Sequence, residues 1–215
     1  VKELFNLLRA YRSPNVFNPW VDVDPLDMDF GAAARRRCER LAAHFYTEPE
    51  LLLIGEAPGY QGCHFSGVPF TNEALILDNR VPRIREPHGR FTLRTTPWSE
   101  PSATIVWGQL HELGIAETTV LWNAFAWHPH KPGNLMSNRA PTPVELLAGA
   151  TVLRVVCSRW PGVPIVAVGK IAQRTLGRLG IRTAACVRHP AMGGATEFRA
   201  QLTEFVRGSA VALDP

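Results

Sequence analysis

The sequence predicts an α/β fold: a single α/β/α sandwich around a central four-stranded, mostly parallel sheet. Four short apolar runs, Leu51 to Gly55, Thr118 to Trp122, Pro164 to Val168 and Thr183 to Val187, alternate with stretches of helical periodicity. Runs of this kind suit strands covered on both faces. At or just beyond three of them stand chemically conspicuous residues, Glu56, Asn123 and His189. Ligands of parallel sheets bind past the carboxyl ends of the strands, so three distant segments are expected to meet on one edge.

The elements follow in order. Lys2 to Arg12 spaces Leu4, Phe5, Leu7, Leu8 and Tyr11 as one helix face. Asn15 to Asp29, with Pro19 and Pro25 among acids, reads as a connecting loop. Phe30 to Phe45 is an alanine-rich helix whose Arg35-Arg36-Arg37 run suits a solvated face or a phosphate-facing one. After the first strand, Asn72 to Leu77 is a short helix, and a basic loop follows. Ser99 or Ser102 caps the next helix, which carries Ile105, Val106, Leu110 and Leu113 and stops at Gly114. Thr142-Pro143-Val144-Glu145 is a capping box with proline at the first helical position, and its helix runs to about Trp160. Lys170 to Leu179, closed by Gly180, and Thr196 to Val206 are the last two helices. Residues 1–215 are expected to form one domain, with 1–50 as a helical extension packed on it.

A chain of 215 residues, 46% hydrophobic and 20% charged, is ordinary for a globular protein with a sizeable core. No apolar run approaches the ~18 residues of a membrane span, so no membrane association and a cytoplasmic location are the expectations. A monomer is the default. Arg80, Arg83, Arg85, Arg90 and Arg94 are opposed only by Glu86, so this segment holds the whole formal net charge of +4. Such density suits a polyanion, or else is a solvated basic loop. Cys38, Cys63, Cys157 and Cys186 contain no CxxC pair, which points to reduced, mostly buried thiols. His128-Pro129-His130 lacks a nearby third ligand, so no metal site is assigned.

The densest stretch is Leu51 to Glu73, LLLIGEAPGYQGCHFSGVPFTNE. It breaks from a strand into Gly55-Glu56-Ala57-Pro58-Gly59, a turn that no strand continues. Glycine there lets main-chain N–H groups approach a ligand, and Glu56 adds a carboxylate. Ser66-Gly67-Val68-Pro69-Phe70 is a second turn that ends on an aromatic ring.

GEAPG followed by GVPF, then WNAFAWHPH with SNRAPTP, then VRHPAMGGATEF, resembles the uracil-DNA glycosylase superfamily. The similarity is closest to its GEGPG/GEAPG-type branch and runs in order from Leu51 to Phe205. It implies a monofunctional DNA glycosylase of base excision repair, acting on uracil or a related deaminated base flipped out of DNA. By resemblance, Phe70 stacks on the base, Asn123 makes two hydrogen bonds to the uracil edge, and His189 stabilises the departing anion. Glu56 positions or activates water, and Gly55, Ala57 and Gly59 line the substrate. Met192 is a wedge into the base stack, while Arg83, Arg85, Lys131, Arg139 and Arg188 contact phosphates. The expected partner is DNA containing a damaged base. No cofactor is expected, because the branch's N-terminal CxxC is missing and Ala126 stands near the place of another iron–sulfur cysteine.

The departures concern chemistry. Ala57 occupies the place of the water-activating acid in the best-known branch, Gly59 that of a tyrosine excluding thymine, and Ala191 that of the serine in HPS. A non-catalytic damaged-DNA-binding protein and a nucleoside hydrolase therefore remain alternatives. Each residue also has a plain structural reading: a core Phe70, a turn-forming Asn123, a loop His189, a Glu56 capping its own loop. Convergence on one edge is what favours the site.

Overall fold

The computed structural model describes residues 2–211. In chain order the elements are α1 (Lys2–Ala10), β1 (Val16–Phe17), α2 (Ala33–His44), β2 (Leu51–Gly55), α3 (Cys63–Ser66), α4 (Glu73–Leu77) and α5 (Pro101–Glu112). There follow β3 (Thr119–Asn123), β4 (His128–Pro129), α6 (Pro143–Cys157), β5 (Ile165–Val168), α7 (Lys170–Arg178), β6 (Ala185–Val187) and α8 (Ala195–Val211). The central sheet has four parallel strands in the order β3-β2-β5-β6.

Strand periodicity divides the core into two layers. Leu52, Ile54, Val120, Trp122, Ile165 and Ala167 face one cluster, which α1, α2, α6 and α7 complete. Leu51, Leu53, Leu121, Val166, Val168 and Val187 face the other, closed by α5 and α8. The strands are thus buried on both sides, as their continuous apolar character requires.

Several elements differ from expectation. Residues read as plain loop form an antiparallel pair, Val16 opposite Pro129 and Phe17 opposite His128, too short to show period-2 alternation. The helix placed at Phe30 begins at Ala33, with Phe30 56% exposed. The turn before Phe70 holds α3, a single helical turn stopped by Gly67 at φ 75°. Neither Ser99 nor Ser102 caps α5: the cap position is Glu100, whose side chain makes no capping bond. The capping box of α6 is present, with Thr142 Oγ1 accepting from Glu145 N (3.2 Å) and Glu145 Oε2 accepting from Thr142 N (2.7 Å).

The arginine run of α2 is not one solvated face. Arg37 is fully buried, donating to the carbonyls of Pro19, Asp22 and Phe65 and pairing with Asp27. Arg40 is buried too, with Ser66 O at 2.7 Å and Glu86 at 2.6 Å. Three residues apart on a helix, Arg37 and Arg40 share a face. That face supplies the carbonyls at the end of α3 with donors, which an apolar helix could not do.

Candidate active site

Parallel register sets Gly55 beside Asn123 at the carboxyl ends of β2 and β3. The chain stays laced beyond the strands: Ala124 N donates to Gly55 O (2.8 Å) and Phe125 N to Glu56 O (2.9 Å). A Cβ on Gly55 would lie 2.3 Å from Phe70 Cζ and 2.7 Å from Asn123 Oδ1, so only glycine lets that ring lie against the strand end beside the amide.

Phe70 itself has φ 50°, an outlying conformation for a bulky residue that needs over-determined surroundings. Ser66 Oγ donates to Thr71 O (2.7 Å) and accepts from Val68 N (3.1 Å). Thr71 Oγ1 donates to Pro69 O (3.0 Å) and accepts from Trp107 Nε1 (3.1 Å). With Arg37 and Arg40 holding the preceding carbonyls, the turn that presents the ring is pinned from three sides.

His189 follows β6, its ring 6.0 Å from that of Phe70 between centroids. Ala191 N donates to His189 Nδ1 at 3.1 Å, while burial and then Arg188 push the imidazole pKa down to about 4. A neutral ring whose Nδ1 accepts must carry its hydrogen on Nε2, a tautomer assigned from this hydrogen bond. His189 is therefore a neutral donor. Burial raises the pKa of Glu56. Among the described residues, no protein group hydrogen-bonds to the Glu56 carboxylate or the Asn123 side-chain amide. Glu56, Phe70, Asn123 and His189 line one cavity of about 560 Å³.

The sequence model of the Uracil DNA glycosylase superfamily matches residues 43–207. The chain belongs to that superfamily. The crystal structure of wild-type Pedobacter heparinus SMUG2 superposes with a TM-score of 0.63 over 98% of this chain and 97% of that one. At 11% identity this likeness shows a shared fold. No curated protein matches the sequence. Superfamily membership supports a DNA-glycosylase type of function, with DNA as the partner.

In this uracil-DNA-glycosylase fold, the structure brings Ala57, Gly59, Arg139, Arg188 and Met192 to the same cavity. Among the described residues Arg188 has no ion pair, and it is exposed; Met192 is 93% exposed at a loop tip with φ 53°. Lys131 is exposed on the loop after β4. Arg139 is differently engaged. Its five N–H donors reach His130 O, Ala140 O, Asn15 O and both oxygens of Glu145, so a phosphate would have to displace one of them.

Arg83 and Arg85 are not brought to the cavity. The guanidinium of Arg83 donates to the carbonyls of Glu117 and Thr119, at the amino end of β3, the opposite end from Asn123. Arg85 lines a separate groove with Arg35 and Arg36. Arg90 is spent on Glu73 and on the carbonyls of Thr92, Arg94 and Thr95. Arg83, Arg85 and Arg90 of the basic segment are thus spent on main-chain carbonyls.

Three further residues shape the site and its loops. Asn138, on the loop after β4, accepts from Tyr60 N at 2.9 Å and closes the wall beside Gly59. Glu73 is fully buried, and Phe91 N, Thr92 N and Trp98 N donate to its carboxylate. Burial raises its pKa, but the bonds from Thr92, Phe91, Trp98 and Arg90 outweigh that and hold it low. Glu100 lines the cavity with its carboxyl pushed up to about 7 by burial. Only Asn138 carried a signal, as part of the SNRAPTP motif.

The cysteines do not converge: Cys38 and Cys63 are buried, Cys157 and Cys186 half-buried, and all four are free. Among the described residues no group of three His, Cys, Asp or Glu side chains could hold a metal ion. The residues present do not fit an iron–sulfur cluster. His128 is engaged instead with His64 and the Ser137 carbonyl.

Proposed function

We propose that this protein is a monofunctional DNA glycosylase that hydrolyses the N-glycosidic bond of uracil, or a related deaminated base, flipped out of DNA. One observation carries the reading: Glu56, Phe70, Asn123 and His189 line a single cavity while the Glu56 carboxylate, the Asn123 amide and the Nε2 of His189 have no protein partner among the described residues. The extruded base stacks on Phe70, and the Asn123 amide offers both a donor and an acceptor to its Watson–Crick edge. As the bond to C1′ lengthens, its electron pair passes to the base, and the Nε2–H of His189 donates to the base oxygen that gains charge. A neutral imidazole does so without taking up a proton. The Glu56 carboxylate supports the oxocarbenium-like sugar, orients the water that bonds to C1′ and takes the proton that this water sheds, while the base departs as the anion. Arg188 and Lys131 are free for phosphates, and Met192 fits the gap left in the stack.

The test is single-turnover cleavage of labelled oligonucleotides containing uracil, hypoxanthine or xanthine, single-stranded and in each mismatch, followed by alkali. Strand breaks that fall about 10²–10³-fold on Asn123→Ala or His189→Ala support a glycosylase and name its base. A second reading, a damage-recognition protein, draws on Ala57 and Ala191, where hydroxyl and carboxyl groups useful to catalysis are lacking. Measurable binding with no cleavage of any substrate would favour it.

A further inference from the structure

The cavity contains a second carboxyl group that the proposed chemistry leaves idle. Glu56 and His189 line both the cavity and the groove beside it, whereas Glu100, Gly59 and Asn138 line the cavity alone. Glu100 therefore stands on the wall away from the two groups that act on the glycosidic bond. It is admitted there by two glycines: a Cβ on Gly59 would lie 2.8 Å from Glu100 Oε1, and one on Gly62 would lie 2.1 Å from Oε2. Any side chain at residue 59 would point into the space this carboxyl takes. Although Glu100 is the cap residue of α5, its carboxyl makes no capping bond, and among the described residues it has no hydrogen bond or ion pair. A half-buried carboxyl without a partner, on the wall of a ligand cavity, is left for the ligand to satisfy.

We propose that Glu100 is a specificity-determining residue of this pocket, which acts as a neutral carboxylic acid and donates its O–H to a carbonyl oxygen of the extruded base. The inference rests on the glycosylase reading above. Ionised, Glu100 could only accept, and it would repel both the base carbonyl and the negative charge of the leaving base. Protonated, it stabilises both. The groups that face it are Glu56 across the cavity, Cys63 of α3, Arg139, and Arg188 with His189. Arg139 is already paired with Glu145 and His189 is neutral, while burial favours the acid form. Among the described residues that face it, Arg188 is the one free cation, and it is exposed to solvent. A base that presents an amino group at this position cannot accept the Glu100 O–H, so the pocket favours bases with a carbonyl there, as deaminated bases have.

Single-turnover cleavage of a uracil-containing duplex, measured from about pH 5.5 to 9, tests this. The wild-type rate should fall as pH rises above about 7, approaching tenfold per pH unit. Glu100→Gln, which keeps a donor at every pH, should lose that falling limb, and Glu100→Ala should lose turnover at all pH values. If Glu100→Gln retains the wild-type limb, the proposal is overturned. Should no form cleave, the glycosylase reading fails separately, and the affinity for the uracil oligonucleotide over a cytosine one, followed across the same pH range, decides the role of Glu100. Selectivity that fades above about pH 7 in the wild type but persists in Glu100→Gln sustains it; identical profiles end it.

Discussion

The sharpest constraint at the residue scale is steric, at Gly55. Alanine there forces Phe70 Cζ, 2.3 Å from the new Cβ, out of its place against Asn123. Gly55→Ala should therefore cost turnover by at least about tenfold, since small misplacements of catalytic geometry are expensive. A stopped assay with unchanged circular dichroism would separate this from unfolding. Glu100 carries a second prediction, on stability. Its folded pKa of about 7 lies above the ordinary 4.5, so the folded state favours the neutral acid. The contribution is full below the ordinary range and is lost as pH rises through about 7. Glu100→Gln, which never ionises, should raise Tm at pH 8 relative to wild type and leave it nearly unchanged at pH 4. Equal Tm differences at both values would show that Glu100 does not titrate in this way.

At the scale of elements, α2 works as the buttress of the site loop. Removing Arg37 leaves the Asp27 carboxylate without its ionic partner and the Pro19 and Asp22 carbonyls without their side-chain donor inside the protein. Arg37→Met should cost about 3–5 kcal/mol in urea unfolding, the typical penalty for stranding half of a buried pair. A buried chain joins the same region to the loop bearing Asn138. Asp24 Oδ2 lies 3.0 Å from His64 Nε2, His64 Nδ1 2.9 Å from His128 Nδ1, and His128 Nε2 2.9 Å from Ser137 O. Burial pushes His128 down to about 3 and His64 well below its ordinary value, so both rings are neutral. A carbonyl only accepts, so His128 Nε2 carries hydrogen, His64 donates from Nδ1, and Asp24 must donate the last bond as an acid. Its pKa is indeed raised, by burial. Asp24→Asn, with an N–H in place of the acid proton, should stay within about 1 kcal/mol of wild type, whereas Asp24→Ala loses about 1–3 kcal/mol. Equal losses in urea titration would mean an ionised Asp24 instead.

For the whole molecule, the question is which charges meet DNA. Arg188 is exposed just beyond the carboxyl end of β6 and Lys131 is exposed on the loop after β4, while Arg83 sits at the opposite end of the central sheet from Arg188 with its guanidinium on main-chain carbonyls. Arg188→Ala should reduce the slope of log affinity against log salt by about one, and Arg83→Ala should leave the slope unchanged. Binding titrations at several salt concentrations check both. A changed slope for Arg83→Ala would mean that DNA also follows the groove lined by Arg35, Arg36 and Arg85.

Much of the fold is legible in the residues themselves. Apolar runs covered on both faces specify the strands β2, β3 and β5, and the alternation with helices specifies a parallel sheet, because hydrophobic pattern and local propensity act over a few residues. The rule that ligands lie beyond strand carboxyl ends then brings Glu56, Asn123 and His189 together. Charge is less legible. One arginine reads like another in sequence, yet Arg37, Arg40, Arg83 and Arg139 are consumed by carbonyls and carboxylates, and Arg188 is not. In sequence Glu100 looks like any acid before a proline. Its role depends on glycines some 40 residues away leaving room for it, and on burial that no local pattern encodes. Sequence by itself determined the sheet and the edge where the chemistry sits. Tertiary structure alone decided which polar groups remain unpartnered there, because hydrogen-bond satisfaction is set by neighbours distant in the chain.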